Sequence, residues 1–195
     1  MHNLNGTYVL DPAHSVIGFI ARHAMVTKVR GNFGEFDATF TINDEDFQAS
    51  ATIKSASITT GNADRDAHVR GDDFFSTEAF PELTFTATDA VIKDEDSAKV
   101  TGDLTIKGVT KTVVLDVDIE GIAEDPFGNV RLGFEAKTKI NRRDFGINFN
   151  APLNTGGMLV SDEIKIEIED LQSSRLNTFS SRFRALRRWP LSISP

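Results

Sequence analysis

The stretch VVLDVDIE, residues 113–120, alternates apolar and polar side chains after its first position, so Val113, Leu115, Val117 and Ile119 share one face. Successive side chains of a β-strand point to opposite faces of the sheet, and one apolar face opposite one wet face is typical of antiparallel strands. The same period of two recurs in residues 36–42, 83–88, 130–137 and 164–169. The alternation therefore predicts an all-β protein whose strands share one apolar interior.

Turn-forming residues divide this pattern into nine predicted strands. Gly31-Asn32 marks one turn and Gly108-Val109 marks a short hairpin connection. The strands are expected over residues 7–10, 14–23, 33–42, 49–59, 82–92, 98–107, 110–120, 129–140 and 161–170. One-sided strands in this number predict a closed antiparallel barrel of about eight or nine strands, because closure removes the sheet edges and encloses an apolar interior.

Two segments depart from the regular alternation. Residues 62–73 are polar and without a period of two, which predicts one short helix that Asn62 caps and Gly71 ends. Ile53 and Ile58 fall on opposite parities of one predicted strand, so we expect a bulge near Ala56.

Charge is unevenly distributed along the 195 residues. The whole chain carries a net charge of −8, but residues 173–195 hold five arginines and no acid, so residues 1–172 carry 16 basic against 29 acidic residues. A body this acidic repels phosphates, which predicts no nucleic-acid partner. We therefore divide the chain into a barrel domain, 1–172, and a basic C-terminal tail, 173–195.

Three interpretations of the tail remain open. The first is a disordered extension. The second is a short amphipathic helix with one apolar stripe, which would contact a membrane surface or a partner; the stripe consists of Leu176, Phe179, Phe183 and Leu186. The third is a sequence without a selected role.

The sequence contains none of the usual catalytic signatures. It lacks the serine nucleophile elbow, the phosphate loop, the dinucleotide fingerprint and the HExxH zinc motif. Cysteine is absent, which excludes disulfides and thiolate ligands. The four histidines, His2, His14, His23 and His68, form no close pair, so no metal site is predicted.

Phenylalanine supplies 15 of the 17 aromatic residues. Its ring carries no hydrogen-bonding group, so a Phe-rich interior suits either a dry packed core or a long apolar ligand. Composition alone does not distinguish a packed core from an interior that binds a ligand.

Short motifs, in order and spacing over residues 6–170, resemble the YceI-like family. They are Thr7 to Ser15 (TYVLDPAHS) with Phe19 and His23 following, Val29 to Phe33 (VRGNF), Arg65 to His68 (RDAH) with Asp73-Phe74-Phe75, Phe80-Pro81 leading to Thr84-Phe85, Gly102 to Thr110 (GDLTIKGVT), and Arg143 to Ile147 (RDFGI). The resemblance implies a lipocalin-like barrel that binds, without catalysis, a polyisoprenoid, an isoprenoid quinone or a fatty derivative. It implies no cofactor besides that ligand.

The resemblance also implies which residues form the site. The chain of the ligand is expected to lie against the alternating apolar faces, and its head group near polar residues at strand ends and on the helix. The lining residues are then Ile17, Phe19, Phe36, Phe40, Phe85, Leu104, Ile106, Leu115, Val117, Phe134, Phe145 and Ile147. The head-group candidates are His14, His23, Arg65, His68 and Arg143.

Two other functions compete with carriage. One is an enzyme acting on an isoprenoid or quinone, with His14 or His68 as acid or base. The other is a filled barrel with an interaction role. Many family members carry a signal peptide, whereas residues 1–6 have neither a basic nor an apolar region, so we expect a cytoplasmic bacterial protein. Pairing of sheet edges in a homodimer and membrane contact through the tail stay open.

Overall fold

In the part of the chain that the structure describes, the alternating segments form eleven antiparallel strands, accompanied by one α-helix. The structure is a computed structural model that describes residues 4–24, 26–43, 46–124, 126, 130–154 and 157–175, the last five as backbone only. The strands are β1 (Gly6–Val9), β2 (Ser15–His23), β3 (Thr27–Phe33), β4 (Phe36–Asn43), β5 (Asp46–Lys54), β6 (Ile58–Thr59), β7 (Glu82–Ile92), β8 (Ser97–Ile106), β9 (Val109–Glu124), β10 (Val130–Asn141) and β11 (Glu163–Arg175). The helix α1 spans Ala63–Arg70. The all-β prediction is confirmed.

The strands belong to one strongly curled sheet, in the order β1-β4-β5-β7-β8-β9-β10-β11-β2-β3-β6. One edge of β11 pairs with β10, and its other edge is shared between β2 and β1. Residues 165–170 on that edge pair with β2, while only Ser174 and Arg175 pair with β1.

The predicted closed barrel of eight or nine strands is therefore wrong in both its closure and its strand count. The sheet is a half-barrel, because β2 occupies most of the β11 edge that closure by β1 would need. The sheet then continues past β2 to β3 and β6. Alternation shows which face of a strand is apolar but not which edges meet.

The two strands beyond the predicted nine, β3 and β6, lie where the sequence pattern predicts other strand boundaries. Gly31 lies inside β3 rather than in a turn, opposite Phe19 of β2. A Cβ on Gly31 would lie 2.4 Å from Cζ of Phe19, so the glycine makes room for the aromatic ring. The predicted strand 49–59 is interrupted by a 3₁₀ turn, Ser55–Ser57, which separates β5 from β6 at the position where a bulge was expected.

The predicted helix and hairpin are confirmed, with the hairpin turn one residue earlier than the predicted Gly108-Val109. The Asn62 side chain accepts a hydrogen bond from Arg65 N at the start of α1, and Gly71 follows its last residue. Lys107 and Gly108 connect β8 to β9, both with positive φ, which is the conformation of a tight two-residue hairpin turn.

The apolar interior has a filled end and an open end. At the filled end Tyr8 stacks on Phe40 with ring centroids 5.0 Å apart, and Phe134 meets Phe40 edge-on at 5.6 Å. The open end contains a cavity. Within the described ranges, no helix is long and apolar enough to cross a membrane. Of the predicted tail, residues 176–195 lie outside the described residues, and residues 173–175 complete β11.

Candidate functional site

The open end of the interior encloses a cavity of about 540 Å³. This volume falls within the roughly 300–1,000 Å³ that small-molecule sites occupy. Its walls are the inward faces of strands from both halves of the sheet, with Ile17 and Phe19 from β2, Leu104 and Ile106 from β8, and Ile168 from β11. The cavity is therefore walled chiefly by aliphatic and aromatic side chains.

Eight of the twelve lining residues expected from the sequence border this cavity. They are Ile17, Phe19, Phe85, Leu104, Ile106, Leu115, Phe145 and Ile147. The other four, Phe36, Phe40, Val117 and Phe134, do not. Phe36 and Phe40 are buried in the core, where Phe134 packs against Phe40 and fills the interior, and Val117 faces Ala98 and Ala136 in register. The alternation predicts which side chains point inward. It does not predict where the packed side chains of the interior end and the cavity begins.

Exposed polar residues border one end of the cavity and mark its opening to solvent. Three of the five head-group candidates lie there: His23 at the end of β2, and Arg65 and His68 on α1. Arg22 and Asp64 lie at the same opening. The other two candidates do not border the cavity.

Helix α1 is held over the opening by side chains that bond to residues 56–60. Asp66 is buried and accepts hydrogen bonds from Thr60 N at 2.7 Å and from Thr59 Oγ1 at 3.1 Å. Arg65 donates from Nε to Thr60 Oγ1 at 2.7 Å and from Nη2 to Thr60 O at 2.9 Å, which uses two of its five N–H donors. Arg70 donates to the carbonyls of residues 56 and 58.

Asp66 makes this attachment sensitive to acid. The Thr60 hydroxyl, together with the Thr60 N–H and the Thr59 hydroxyl, holds the pKa of Asp66 below its ordinary value, although burial opposes the shift. Asp66→Ala is expected to lower the free energy of unfolding by roughly 1–3 kcal/mol at neutral pH. Because the folded-state pKa is depressed, this difference is complete above about pH 4 and disappears as the pH falls through the folded pKa. Urea unfolding of both proteins at several pH values measures it.

The control is Asp64→Ala in the exposed first turn of α1, for which we expect less than about 1 kcal/mol. Equal losses in the two variants, or a loss in Asp66→Ala that is independent of pH, would show that Asp66 does not attach the helix.

The rings of His68, Phe74 and Phe149 pack against one another at the opening and form an aromatic cluster, the collar. The ring of His68 contacts Phe74 and Phe149 edge-on, with centroids 5.2 and 4.9 Å away, and Phe74 lies 5.2 Å from Phe149. Nε2 of His68 is hydrogen-bonded to Asp73 Oδ2 at 2.9 Å. The three rings of the collar line the cavity and join α1 to Phe149 in the segment after β10.

Arg142 lines the cavity, whereas the motif pattern of the sequence selects its neighbour Arg143. Arg142 is only 3% exposed, and it donates to Ile147 O at 2.7 Å, to Ser161 O at 2.9 Å and to Asp162 Oδ1 at 3.0 Å. Burial lowers the pKa of Arg142, and the Asp162 carboxylate opposes that effect. Its guanidinium therefore holds together the two chain segments that border the opening.

Arg143 and His14 lie away from the cavity. Arg143 is half-exposed and donates to Asp162 Oδ1 at 2.9 Å. His14 Nδ1 is 2.8 Å from Asp11 Oδ2 on the surface, and this hydrogen bond lowers the pKa of Asp11. Both were head-group candidates because they occur in family motifs, but their motifs form turns at the ends of strands.

The part of the chain that the structure describes contains no group of three His, Asp or Glu side chains arranged to hold a metal ion. Its buried side-chain nitrogen and oxygen atoms all have hydrogen-bond partners.

Comparisons with known proteins agree with this architecture. A UPF0312 protein of Staphylococcus aureus (strain MSSA476) is 40% identical over 164 residues, which cover 82% of this chain and 93% of the relative. A YceI protein of Campylobacter jejuni is 34% identical, with a TM-score of 0.70 over 80% of this chain and 90% of that one. A polyisoprenoid binding domain from Saccharophagus degradans shares the fold at 15% identity, with a TM-score of 0.64 over 88% of this chain and 99% of that one.

The sequence model of the YceI-like domain family matches residues 8–170 of this chain. This range includes every described strand except part of β1 and the end of β11. This range contains the cavity, α1 and the collar. The chain belongs to the YceI-like domain family.

Proposed function

We propose that this protein binds and carries, without catalysis, a long-chain apolar ligand such as a polyisoprenoid, an isoprenoid quinone or a fatty derivative. The observation that carries the proposal is the apolar cavity of about 540 Å³ with a polar opening at one end. A ligand with a hydrocarbon chain and a polar head group has the same division of chemistry.

Apolar transfer alone accounts for useful affinity in such a site. Each buried methylene contributes roughly 0.8 kcal/mol, so binding strengthens with chain length and needs few polar contacts. The head group then lies at the opening, where Arg65 has donors beyond the two that bind Thr60, and where His68 and His23 present ring nitrogens. An anionic or hydroxyl head group fits these donors.

The ligand class has support from one distant structural neighbour, the polyisoprenoid binding domain from Saccharophagus degradans. At its level of identity the likeness concerns the fold. The choice of an isoprenoid for the present chain is our proposal, and the cavity chemistry is compatible with straight and branched chains alike.

Catalysis on the same ligand is the second candidate. Of the two histidines considered as acid or base, only His68 borders the cavity, where Asp73 orients its ring. Carriage predicts that His68→Ala changes the affinity for the ligand, whereas an enzyme loses turnover of the ligand. A filled interior without a ligand is disfavoured by the cavity itself.

The proposal is tested by extracting the purified protein with organic solvent and identifying the extract by mass spectrometry. We expect a long-chain compound in an amount close to one molecule per protein, with its structure unchanged after prolonged incubation. Recovery of no long-chain compound, even after incubation with bacterial membrane lipids, would contradict carriage. Conversion of the compound during incubation would favour the enzyme.

A further inference from the structure

The wall of the half-barrel opens between β9 and β10. These strands pair from Glu124 with Val130 to Asp116 with Lys137, and there the register ends. Both strands continue beyond that point, β9 back to Val109 and β10 on to Asn141, and each keeps its partner on the other side. No register pair joins residues 109–115 to residues 138–141, all of which the structure describes.

A second cavity, of about 440 Å³, occupies this gap. Val113, Thr138 and Ile140, which line it, belong to the inward faces of β9 and β10. Thr112, Val114, Lys139 and Asn141 also line it and belong to the outward, exposed faces of the same strands. Neighbouring residues of a strand point to opposite faces. Because inward-facing and outward-facing residues of both strands line this cavity, it lies in the plane of the sheet.

The gap adjoins the main cavity. Val113, Thr138, Ile140 and Phe145 line both. Three of these four side chains are apolar, and the outer rim includes Val114, which is 42% exposed. Apolar side chains therefore continue from the interior to Val114 at the outer rim. The polar residues that line the gap beside this path are Lys111, Thr112, Thr138, Lys139, Asn141 and Asp144.

We infer that the gap between β9 and β10 is a side passage of the ligand cavity, which takes the distal end of a hydrocarbon chain too long for the cavity. This inference rests on the proposed function. It assigns the two ends of the ligand to different places: the head group to the opening beneath α1, and the chain end to the gap.

The test uses Val114→Trp, which places a large side chain at the outer rim without altering a residue of the main cavity. Straight-chain fatty alcohols, from octanol to tetracosanol, displace a fluorescent fatty-acid probe from the full-length protein. Val91→Trp is the matched control, because Val91 is 49% exposed on β7 and borders neither cavity. Lys139→Trp repeats the block from the β10 side of the gap.

We expect equal affinities of all these proteins for the shortest alcohols that bind. For the longest alcohols, we expect the affinity of Val114→Trp and Lys139→Trp to be about tenfold weaker than that of the unmodified protein and of Val91→Trp. Tenfold corresponds to roughly two methylenes kept in water.

Two results would overturn the inference, and they are distinguishable. If short alcohols bind and the length dependence is the same in every variant, there is no side passage but carriage stands. If the unmodified protein binds no alcohol of any length, carriage and the side passage are both wrong.

Discussion

Replacing Arg142 by alanine is expected to lower the free energy of unfolding by about 3–5 kcal/mol, because each buried acceptor left unpaired costs roughly 1–3 kcal/mol. The buried guanidinium donates to three backbone carbonyls and to the Asp162 carboxylate, and its removal leaves all four acceptors without that donor. Arg142→Lys is expected to lose less, because an ammonium group keeps the charge but cannot reach four acceptors in the plane of a guanidinium. Urea unfolding, followed by circular dichroism, measures both variants.

The matched control for this prediction is Arg143→Ala. Arg143 shares the acceptor Asp162 Oδ1 with Arg142 but is 45% exposed, so we expect a loss of less than about 1 kcal/mol. If both alanine variants lost the same free energy of unfolding, the hydrogen bonds from Arg142 to the backbone would stabilise the protein no more than a surface ion pair does. The Arg142→Lys protein keeps the comparison possible should Arg142→Ala not fold.

Replacing Ile168 by aspartate is expected to weaken ligand binding by at least about thirtyfold. Ile168 lines the cavity from β11. A carboxyl group there loses its hydration when a hydrocarbon chain enters, and an uncompensated buried polar group costs roughly 2 kcal/mol. Displacement of a fluorescent fatty-acid probe measures the affinity, and thermal unfolding confirms that the variant is folded at the temperature used.

Val16→Asp is the control for a charge introduced into the same wall. Val16 is 45% exposed on β2, directly before Ile17, whose partner in register is Ile168. We expect unchanged affinity because the new carboxylate lies on the outer face. Unchanged affinity in a folded Ile168→Asp protein as well would show that the ligand does not occupy the cavity. Ile166→Asp, which faces the same cavity from the same strand, serves if Ile168→Asp is unfolded.

The period of two predicted the strands well because it follows directly from strand geometry. It placed β7 over residues 82–92 with the same limits that the structure shows. It failed at Gly31, where a residue typical of turns makes room for the ring of Phe19 on the neighbouring strand. That contact joins two strands across the sheet, and the local pattern of one strand contains no information about it.

The candidate site was predicted in part for a similar reason. Local pattern assigned Leu104 and Ile106 to the interior, where they line the cavity, but it assigned Phe40 there equally, although Phe40 packs against Tyr8. Whether an inward residue lines a cavity depends on the side chains opposite it. Motif membership likewise selected Arg143, whereas the fold buries Arg142 and leaves Arg143 in solvent.

The position of β11 at the end of the described chain has a consequence for how the protein folds. Its edges pair with β10, β2 and β1, so Ile17 meets Ile168 and Tyr8 meets Arg175 across most of the sequence. Contacts of such high sequence separation slow folding, because the entropy of closing the loop is lost before the pairing is gained. Among the strands that the structure describes, β2 pairs only with β3 until β11 emerges from the ribosome. In that interval the free edge of β2 is a template for pairing with another nascent chain, and synthesis of β11 ends this exposure.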